Sequence, residues 1–236
     1  MSGQALNLGV QDAFNLGWKL AAQVRGRAAP ELLDSYHDER HPVGERVLRV
    51  VAAQTELLLG DGDLSAVREV LADLLRTDEA RRYLAETLSG VAVRYDLGAG
   101  EHPCLGVRLP HAELLTRAGR TTTTELLRRG RGLLLDLAAD AEGHDRMRLC
   151  AGPWQRGVDV VVATAVGCDA VAGLSGVLVR PDGHVAWVGG GPEGLEPALL
   201  RWFGAPQGRA ERPAAHHPPS AANDGREERD EARMPL

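Results

Sequence analysis

A turn of small residues that leads directly into an amphipathic helix constrains this chain more than any other feature. Residues 3–21 read GQALNLGVQDAFNLGWKLA. At helical spacing, one side of this stretch carries the apolar or small residues Leu6, Val10, Ala13, Phe14, Leu16, Gly17 and Leu20. The other side carries the polar residues Gln11, Asp12, Asn15 and Lys19. We expect a helix that packs on a larger body, with free amides at its start that suit an anion or a polarised carbonyl.

The remainder of the first ninety residues also predicts helices. Pro30 suits the opening turn of a second helix, and Pro42 suits the start of a third that continues to Leu59. Helical periodicity recurs over residues 65–75 and 78–88. Because these apolar faces need one another for burial, residues 1–92 are predicted to form one helical region.

Beyond residue 92 the sequence predicts alternating strands and helices. The β-prone runs cover residues 132–137, 158–164, 176–180 and 185–188, and helical runs cover residues 141–149 and 195–203. Pro181-Asp182-Gly183 is typical of a hairpin turn between the last two strands. The order β-α-β, hairpin, helix predicts an α/β fold with a thioredoxin-like domain over residues 93–206.

Cysteine spacing and the composition of the last thirty residues complete this domain assignment. Cys104, Cys150 and Cys168 form no Cys-x-x-Cys motif, so the thioredoxin-like layer is predicted to lack dithiol chemistry. Residues 207–236 are rich in Pro, His, Arg and acidic residues, and we expect this tail to be disordered.

The opening stretch resembles the flavin-contacting motif of the FAD-dependent aromatic hydroxylases related to p-hydroxybenzoate hydroxylase, particularly those that act on bacterial aromatic polyketides. The family pattern is approximately G-G-Q-G-L-N-x-G-x-Q-D-A-x-N-L-x-W-K-L-A, and this chain departs from it at Ala5. Segments 106–110, 178–187 and 199–204 are similar to the C-terminal domain of the same hydroxylases. The resemblance therefore covers residues 3–204 in the family's order.

This resemblance implies an enzyme that hydroxylates an aromatic or polyketide small molecule with FAD, NAD(P)H and O2. It places the backbone amides of the site residues around the flavin, namely Gly3, Gln4, Ala5, Leu6 and Asn7. The flavin supplies the chemistry, so no catalytic side chain is assigned. In the family a dinucleotide-binding region precedes the motif. Residues 1–92 would then be the helical C-terminal part of the FAD domain, and we expect the chain alone to be inactive.

Charge and hydropathy exclude several other functions. The net charge of −6 comes from 27 basic and 33 acidic residues spread along the chain, which argues against a nucleic-acid partner. No apolar run approaches the roughly twenty residues that cross a bilayer, so no membrane partner is expected. We expect a cytoplasmic protein, with either a homodimer or a complementing FAD-domain fragment as its protein partner.

Two motifs invite other chemistry. His37 and His41 lie one helical turn apart, but no third ligand accompanies them and no metal site is predicted. The same segment resembles the hydroxylases' Tyr-x-x-Glu-Arg-x-Pro stretch, in which Glu39 and Arg40 would connect this helix to the nucleotide domain. Residues 189–194 read GGGPEG, yet Pro192 removes an amide and only one helix follows, so we interpret them as a plain loop.

The alternative function is a non-catalytic module for dimerisation or scaffolding, built on the thioredoxin-like layer. The absence of assigned catalytic groups permits it. The Thr122 to Glu125 spacing is interpreted as a helix capping box, not as a nucleophile or a phosphorylation site.

Overall fold

The computed structural model describes residues 4–60, 62–97 and 100–206. Four helices come first: α1 (Gln4–Val24), α2 (Ser35–Leu59), α3 (Ser65–Leu74) and α4 (Asp78–Ser89). A connecting segment then leads to β1 (Glu113–Thr116), β2 (Gly119–Thr122), α5 (Thr123–Leu127), β3 (Gly132–Asp136), α6 (Ala141–Ala151), β4 (Val158–Val166), β5 (Gly176–Val179), β6 (Val185–Gly189) and α7 (Leu195–Phe203). Gly3, the first predicted site residue, and the predicted disordered tail lie outside these residues.

The six strands form one mixed sheet in the order β2-β1-β4-β3-β5-β6. Strands β3 and β4 are parallel and are joined by α6, whereas β5 pairs antiparallel with both β3 and β6. This confirms the predicted α/β class. The β-α-β, hairpin, helix order agrees with the prediction, and the thioredoxin-like assignment stays a prediction.

A buried apolar layer covers each face of the sheet. On one face, Leu134, Leu178 and Trp187 pack with α6 and α7 and with Leu32, which precedes α2. The opposite face carries a second cluster that includes Leu133 and Val177. Because Trp18 and Ala22 of α1 and Val43 of α2 pack against the first layer, the first two helices share a core with the sheet.

Two helix starts differ from the sequence prediction. Pro30 lies in a turn before α2, and Pro42 lies inside α2 and starts no new helix. A proline within a helix removes one backbone hydrogen bond. Glu39 and Arg40, just before Pro42, are buried and hydrogen-bonded to Arg180 and to Tyr95, which holds α2 in place at this point.

The hairpin of β1 and β2 was not predicted from the sequence, because its two strands are only four residues long and mostly polar. The capping box after it is confirmed. The Thr122 hydroxyl accepts a hydrogen bond from the Glu125 amide at 3.2 Å, and the Glu125 carboxylate accepts one from the Thr122 amide at 3.0 Å. Within the ranges that the structure describes, no helix is both long and apolar enough to cross a membrane.

Candidate functional site

The polar side of α1 is the side that packs against the rest of the chain. Asn15 and Lys19 are buried there, and Lys19 is 0% exposed although it is the only lysine in the sequence. The sequence predicted that α1 packs on a larger body, but it did not predict which side of the helix contacts this chain. Lysine is almost never fully buried unless it is paired, so its partners explain the orientation of the helix.

Glu39 of α2 joins α1 to the sheet. Its carboxylate accepts two hydrogen bonds from Arg180, at 2.7 and 2.8 Å, one from Lys19 Nζ at 3.0 Å and one from Asn15 Nδ2 at 2.6 Å. Arg180, directly after β5, also pairs with Asp182. We call Lys19, Glu39, Arg180 and Asp182 the buried ion cluster. Its two cations and two carboxylates balance, which buried charges require.

Burial and pairing act against each other on the pKa values in this cluster. Burial lowers the pKa of Lys19 to about 8, and the charge of Arg180 adds to that effect, while Glu39 opposes it. For Glu39, burial would raise the pKa, but the hydrogen bonds and charge of Arg180 outweigh burial and hold the pKa below its usual value. The pKa of Asp182 is likewise held far below its usual range by Arg180 and His184, against the effect of burial. Both carboxylates are therefore ionised at neutral pH.

Arg40 forms a second connection between α2 and α1. It donates to Asp12 at 2.6 Å, to Gln11 at 3.2 Å and to the Tyr95 hydroxyl at 3.0 Å. The observed bonds run to α1, to the connecting segment and, from Glu39, to the sheet. The predicted connection of Glu39 and Arg40 to the nucleotide domain stays a prediction.

These contacts turn the apolar side of α1 outward. Leu6, Val10 and Phe14 are 74%, 48% and 57% exposed. Gly9 and Gly17 share the exposed surface, and a Cβ at either would meet no atom within 4 Å in the described part of the chain. Glycine inside a helix costs about 1 kcal/mol relative to alanine. No packing within the described residues explains that cost. We call Leu6, Val10 and Phe14 with these two glycines the exposed face of α1.

The predicted site residues lie at the amino end of this face. Ala5, Leu6 and Asn7 are exposed, whereas Gln4 is buried. The Gln4 Nε2 donor is buried without a hydrogen-bond partner among the described residues. It opens on a small cavity of about 40 Å³ that Asn7 and Gln11 also line. The first four amides of a helix have no partner within the helix, and no acidic side chain competes for them in this first turn.

The buried ion cluster was not predicted from the sequence as a structural unit. Arg180 was noted only within a segment that resembles the hydroxylases, and Asp182 only within a predicted hairpin turn. No function was predicted for Lys19. Two signals could have found them. An arginine ends an otherwise apolar strand at residues 176–180, and the single lysine lies on the same helix side as Asn15.

The two other motifs lie outside this site. The rings of His37 and His41 lie 4.9 Å apart, and the described residues contain no group of three or more metal-binding side chains. Residues 190–194 form the loop before α7, where Trp187 donates to the Glu193 carbonyl at 3.1 Å. A Cβ on Gly189 would collide with the Trp187 ring, so tight packing explains that glycine.

Two family models match the chain. The model described as aromatic-ring hydroxylase, C-terminal, matches residues 102–206, and the model described as FAD binding domain matches residues 1–51. The second match contains the exposed face of α1 and the predicted site residues.

Individual relatives agree with the family models. The 12-dehydrotetracycline 5-monooxygenase/anhydrotetracycline 6-monooxygenase of Streptomyces rimosus is 44% identical over 86% of this chain and 41% of its own length. A rifampicin monooxygenase of Streptomyces venezuelae is 44% identical over 86% of this chain and 39% of its own length. The crystal structure of CabE, an aromatic hydroxylase from angucycline biosynthesis, is 48% identical with a TM-score of 0.80, over 86% of this chain and 42% of that one.

The chain thus spans about two fifths of the length of the relatives that it matches. Both halves of the described structure fall within these matches, in the order that the sequence resemblance predicts. The chain therefore belongs to the FAD-dependent aromatic-ring hydroxylases and contains their C-terminal domain.

Proposed function

We propose that this chain supplies the C-terminal part of an FAD-dependent monooxygenase that hydroxylates an aromatic or polyketide substrate with NAD(P)H and O2. The observation that carries the proposal is the exposed face of α1, which ends in the free amides of Gln4–Asn7 and lies within the match to the FAD-binding family. FAD would supply the oxygen chemistry, and the protein would position and shield it.

The residues of the amino end fit a flavin edge. Backbone amides at a helix start stabilise negative charge, and the pyrimidine edge of a flavin gains such charge on reduction. Leu6 and Asn7 are exposed at this end, and Gln4 Nε2 is a buried donor without a partner among the described residues. Gly3, Gln4, Ala5, Leu6 and Asn7 are therefore proposed as the residues that hold the flavin. No side chain of this chain is proposed as an acid, base or nucleophile.

The exposed face of α1 is proposed to pack against a complementing FAD-domain polypeptide. Leu6, Val10 and Phe14 would lose their contact with water on docking, which contributes roughly 25 cal/mol per Å² of apolar surface. The described strands contain no parallel unit with a glycine-rich dinucleotide turn, so residues that bind the remainder of FAD come from that polypeptide. Under this proposal the chain alone is inactive. Under the same proposal, residues 1–92 belong to the helical C-terminal part of the FAD domain, and residues 93–206 form the thioredoxin-like C-terminal domain.

Co-expression tests the proposal. The chain is produced with the preceding part of the Streptomyces rimosus relative, and a yellow complex with NAD(P)H oxidase activity is expected. A Leu6→Glu, Phe14→Glu double variant should abolish the complex, because it places charge on the docking face. Leu149→Glu is the matched control, since Leu149 is 82% exposed on α6.

A second pair of variants tests the amide contacts directly. Leu6→Pro removes one backbone donor in the first helical turn, where proline is tolerated, and Leu6→Ala keeps that donor. Relative to Leu6→Ala, Leu6→Pro should lower the flavin reduction potential by about 30 mV, the equivalent of one charge-assisted hydrogen bond. Equal potentials would contradict the contact. A stable flavin-free homodimer that never binds the partner would support the scaffolding alternative, and tight FAD binding by the chain alone would contradict the need for a partner.

A further inference from the structure

A cavity of about 110 Å³ lies where the carboxyl end of α1 meets α7 and the segment that joins α6 to β4. Its wall contains the rings of Trp18, Trp154, Trp202 and Phe203. These are three of the four tryptophans and one of the two phenylalanines in a chain with only 4% aromatic residues. Aromatic rings are therefore concentrated around this one space.

Arginines surround the same cavity, and none of the described residues that line it carries a carboxylate. Arg131 is neutralised by Asp159, to which it donates at 2.7 Å, and Arg27 donates to the Arg156 carbonyl at 2.9 Å. The guanidinium groups of Arg25 and Arg156 form no hydrogen bond or ion pair within residues 4–60, 62–97 and 100–206. The cavity therefore combines an aromatic wall with two guanidinium groups that have no partner among the described residues.

We propose that this cavity binds a small aromatic carboxylate of a single ring. The ring would lie against the tryptophans, and the carboxylate would pair with the free guanidinium groups of Arg25 and Arg156. Guanidinium groups match carboxylates in charge and in fork geometry. The cavity volume is of the same order as the engineered cavity of about 150 Å³ that holds benzene, which matches a ligand with a single ring.

The position of this cavity separates the proposal from the flavin function. Helix α1 has 21 residues and is therefore about 30 Å long. Gln4–Asn7 lie at its amino end, whereas Trp18 lies in its last two turns and Arg25 directly follows it. Aromatic carboxylate binding requires no flavin and no complementing polypeptide, so it is tested on the chain itself.

Isothermal titration of the full chain with sodium benzoate provides the test. We expect saturable binding with one site per chain. Benzamide keeps the ring without the charge and should bind about tenfold more weakly. Inorganic phosphate keeps the charge without the ring and should show the same deficit. Arg25→Gln and Arg156→Gln should each weaken benzoate binding about tenfold, whereas Arg82→Gln, an exposed arginine on α4, should leave it unchanged.

Each contrary result overturns the proposal. Equal binding of benzoate and benzamide would show that the arginines play no part. Equal binding of benzoate and phosphate would indicate an adventitious ion only. The proposal would also be contradicted if Arg82→Gln weakened benzoate binding as much as Arg25→Gln and Arg156→Gln do. It would likewise be contradicted if the wild-type chain did not bind benzoate at millimolar concentration. Because Arg25, Arg82 and Arg156 are all exposed, their variants should keep the wild-type circular dichroism spectrum and melting temperature.

Discussion

Individual residues in the buried ion cluster determine which side of α1 faces the protein. A buried lysine loses its hydration, and that loss is offset only when opposite charges and hydrogen bonds replace the water. Glu39 meets this requirement for Lys19 and for Arg180 at once. The cluster therefore outweighs the tendency of an apolar helix side to turn inward, and Glu39 holds α1 in this orientation together with Arg40.

Replacing that carboxylate should be costly. Glu39→Gln leaves Lys19 and Arg180 with only Asp182 as a counter-charge, and breaking a buried ion pair in this way costs about 3–5 kcal/mol. Urea denaturation measures the change in the free energy of unfolding. Glu45→Gln on the same helix is the control, because both members of the Glu45 pair with His41 are more than half exposed. Equal effects of the two substitutions would contradict the role given to the cluster.

The depressed pKa of Lys19 predicts a pH dependence. The folded pKa is about 8 and the reference value is 10.5, so between these values the unfolded chain binds more protons. Stability due to Lys19 is therefore present above that window and is lost as the pH falls through it, with a slope of up to about 1.4 kcal/mol per pH unit.

Lys19→Met isolates this contribution. Burial raises the pKa of Cys104, Cys150 and Tyr95, and each of these groups titrates in both proteins. The free energy of unfolding of the wild type minus that of Lys19→Met should therefore increase from pH 8 to about 9.5. A difference that stays constant over this range would show that Lys19 keeps its ordinary pKa in the folded chain.

At the scale of elements, the sequence predicted most of the order and little of the packing. The bounds of α7 were predicted to the residue, and the apolar runs of β3, β4, β5 and β6 were all recognised. Periodicity identifies which side of a helix is apolar, but it does not say what that side contacts. The sequence therefore predicted where α1 lies along the chain, but not which of its sides contacts α2 and the sheet. The short β1–β2 hairpin has too few apolar residues to give a strand pattern.

Apolar residues on the exposed face of α1 should contribute little to the stability of the chain alone. Leu6→Ser and Phe14→Ser are each expected to change the free energy of unfolding by less than about 1 kcal/mol and to reduce binding of a hydrophobic dye. Leu199→Ser is the control in α7, where the side chain is fully buried, and it should cost more than about 3 kcal/mol. A large loss of stability in Phe14→Ser would mean that this side of α1 is buried in solution.

The capping box gives a local test of one short helix. The Thr122 hydroxyl accepts a hydrogen bond from the Glu125 amide at the start of α5. Thr122→Ala should lower the free energy of unfolding by about 1 kcal/mol, measured by chemical denaturation. Thr164 is an exposed threonine of β4 that caps no helix, so Thr164→Ala should have a smaller effect.

Across the whole molecule, the distribution of buried side chains is uneven. Every residue of β3 and β5 is buried, whereas α3 and α4 contain no buried residue. Few hydrogen bonds attach these two helices. Arg68 of α3 donates to the Leu57 carbonyl at 2.7 Å, and Gln11 of α1 donates to the Gly90 carbonyl, directly after α4, at 3.3 Å.

This imbalance predicts two levels of protection in hydrogen exchange. Segments with few buried contacts open locally at a small free energy, so their amides exchange quickly. The amides of core strands exchange only when the whole protein unfolds. Amides in α3 and α4 should therefore exchange at least about 100-fold faster than those in β3 and β5, a difference of about 2.7 kcal/mol. Mass spectrometry of peptides from each element measures the ratio. Binding of the proposed complementing polypeptide should slow exchange at the exposed face of α1 and leave β3 unchanged. Equal protection of α3 and β3 in the isolated chain would show that these helices have a packing surface that their exposure does not reveal.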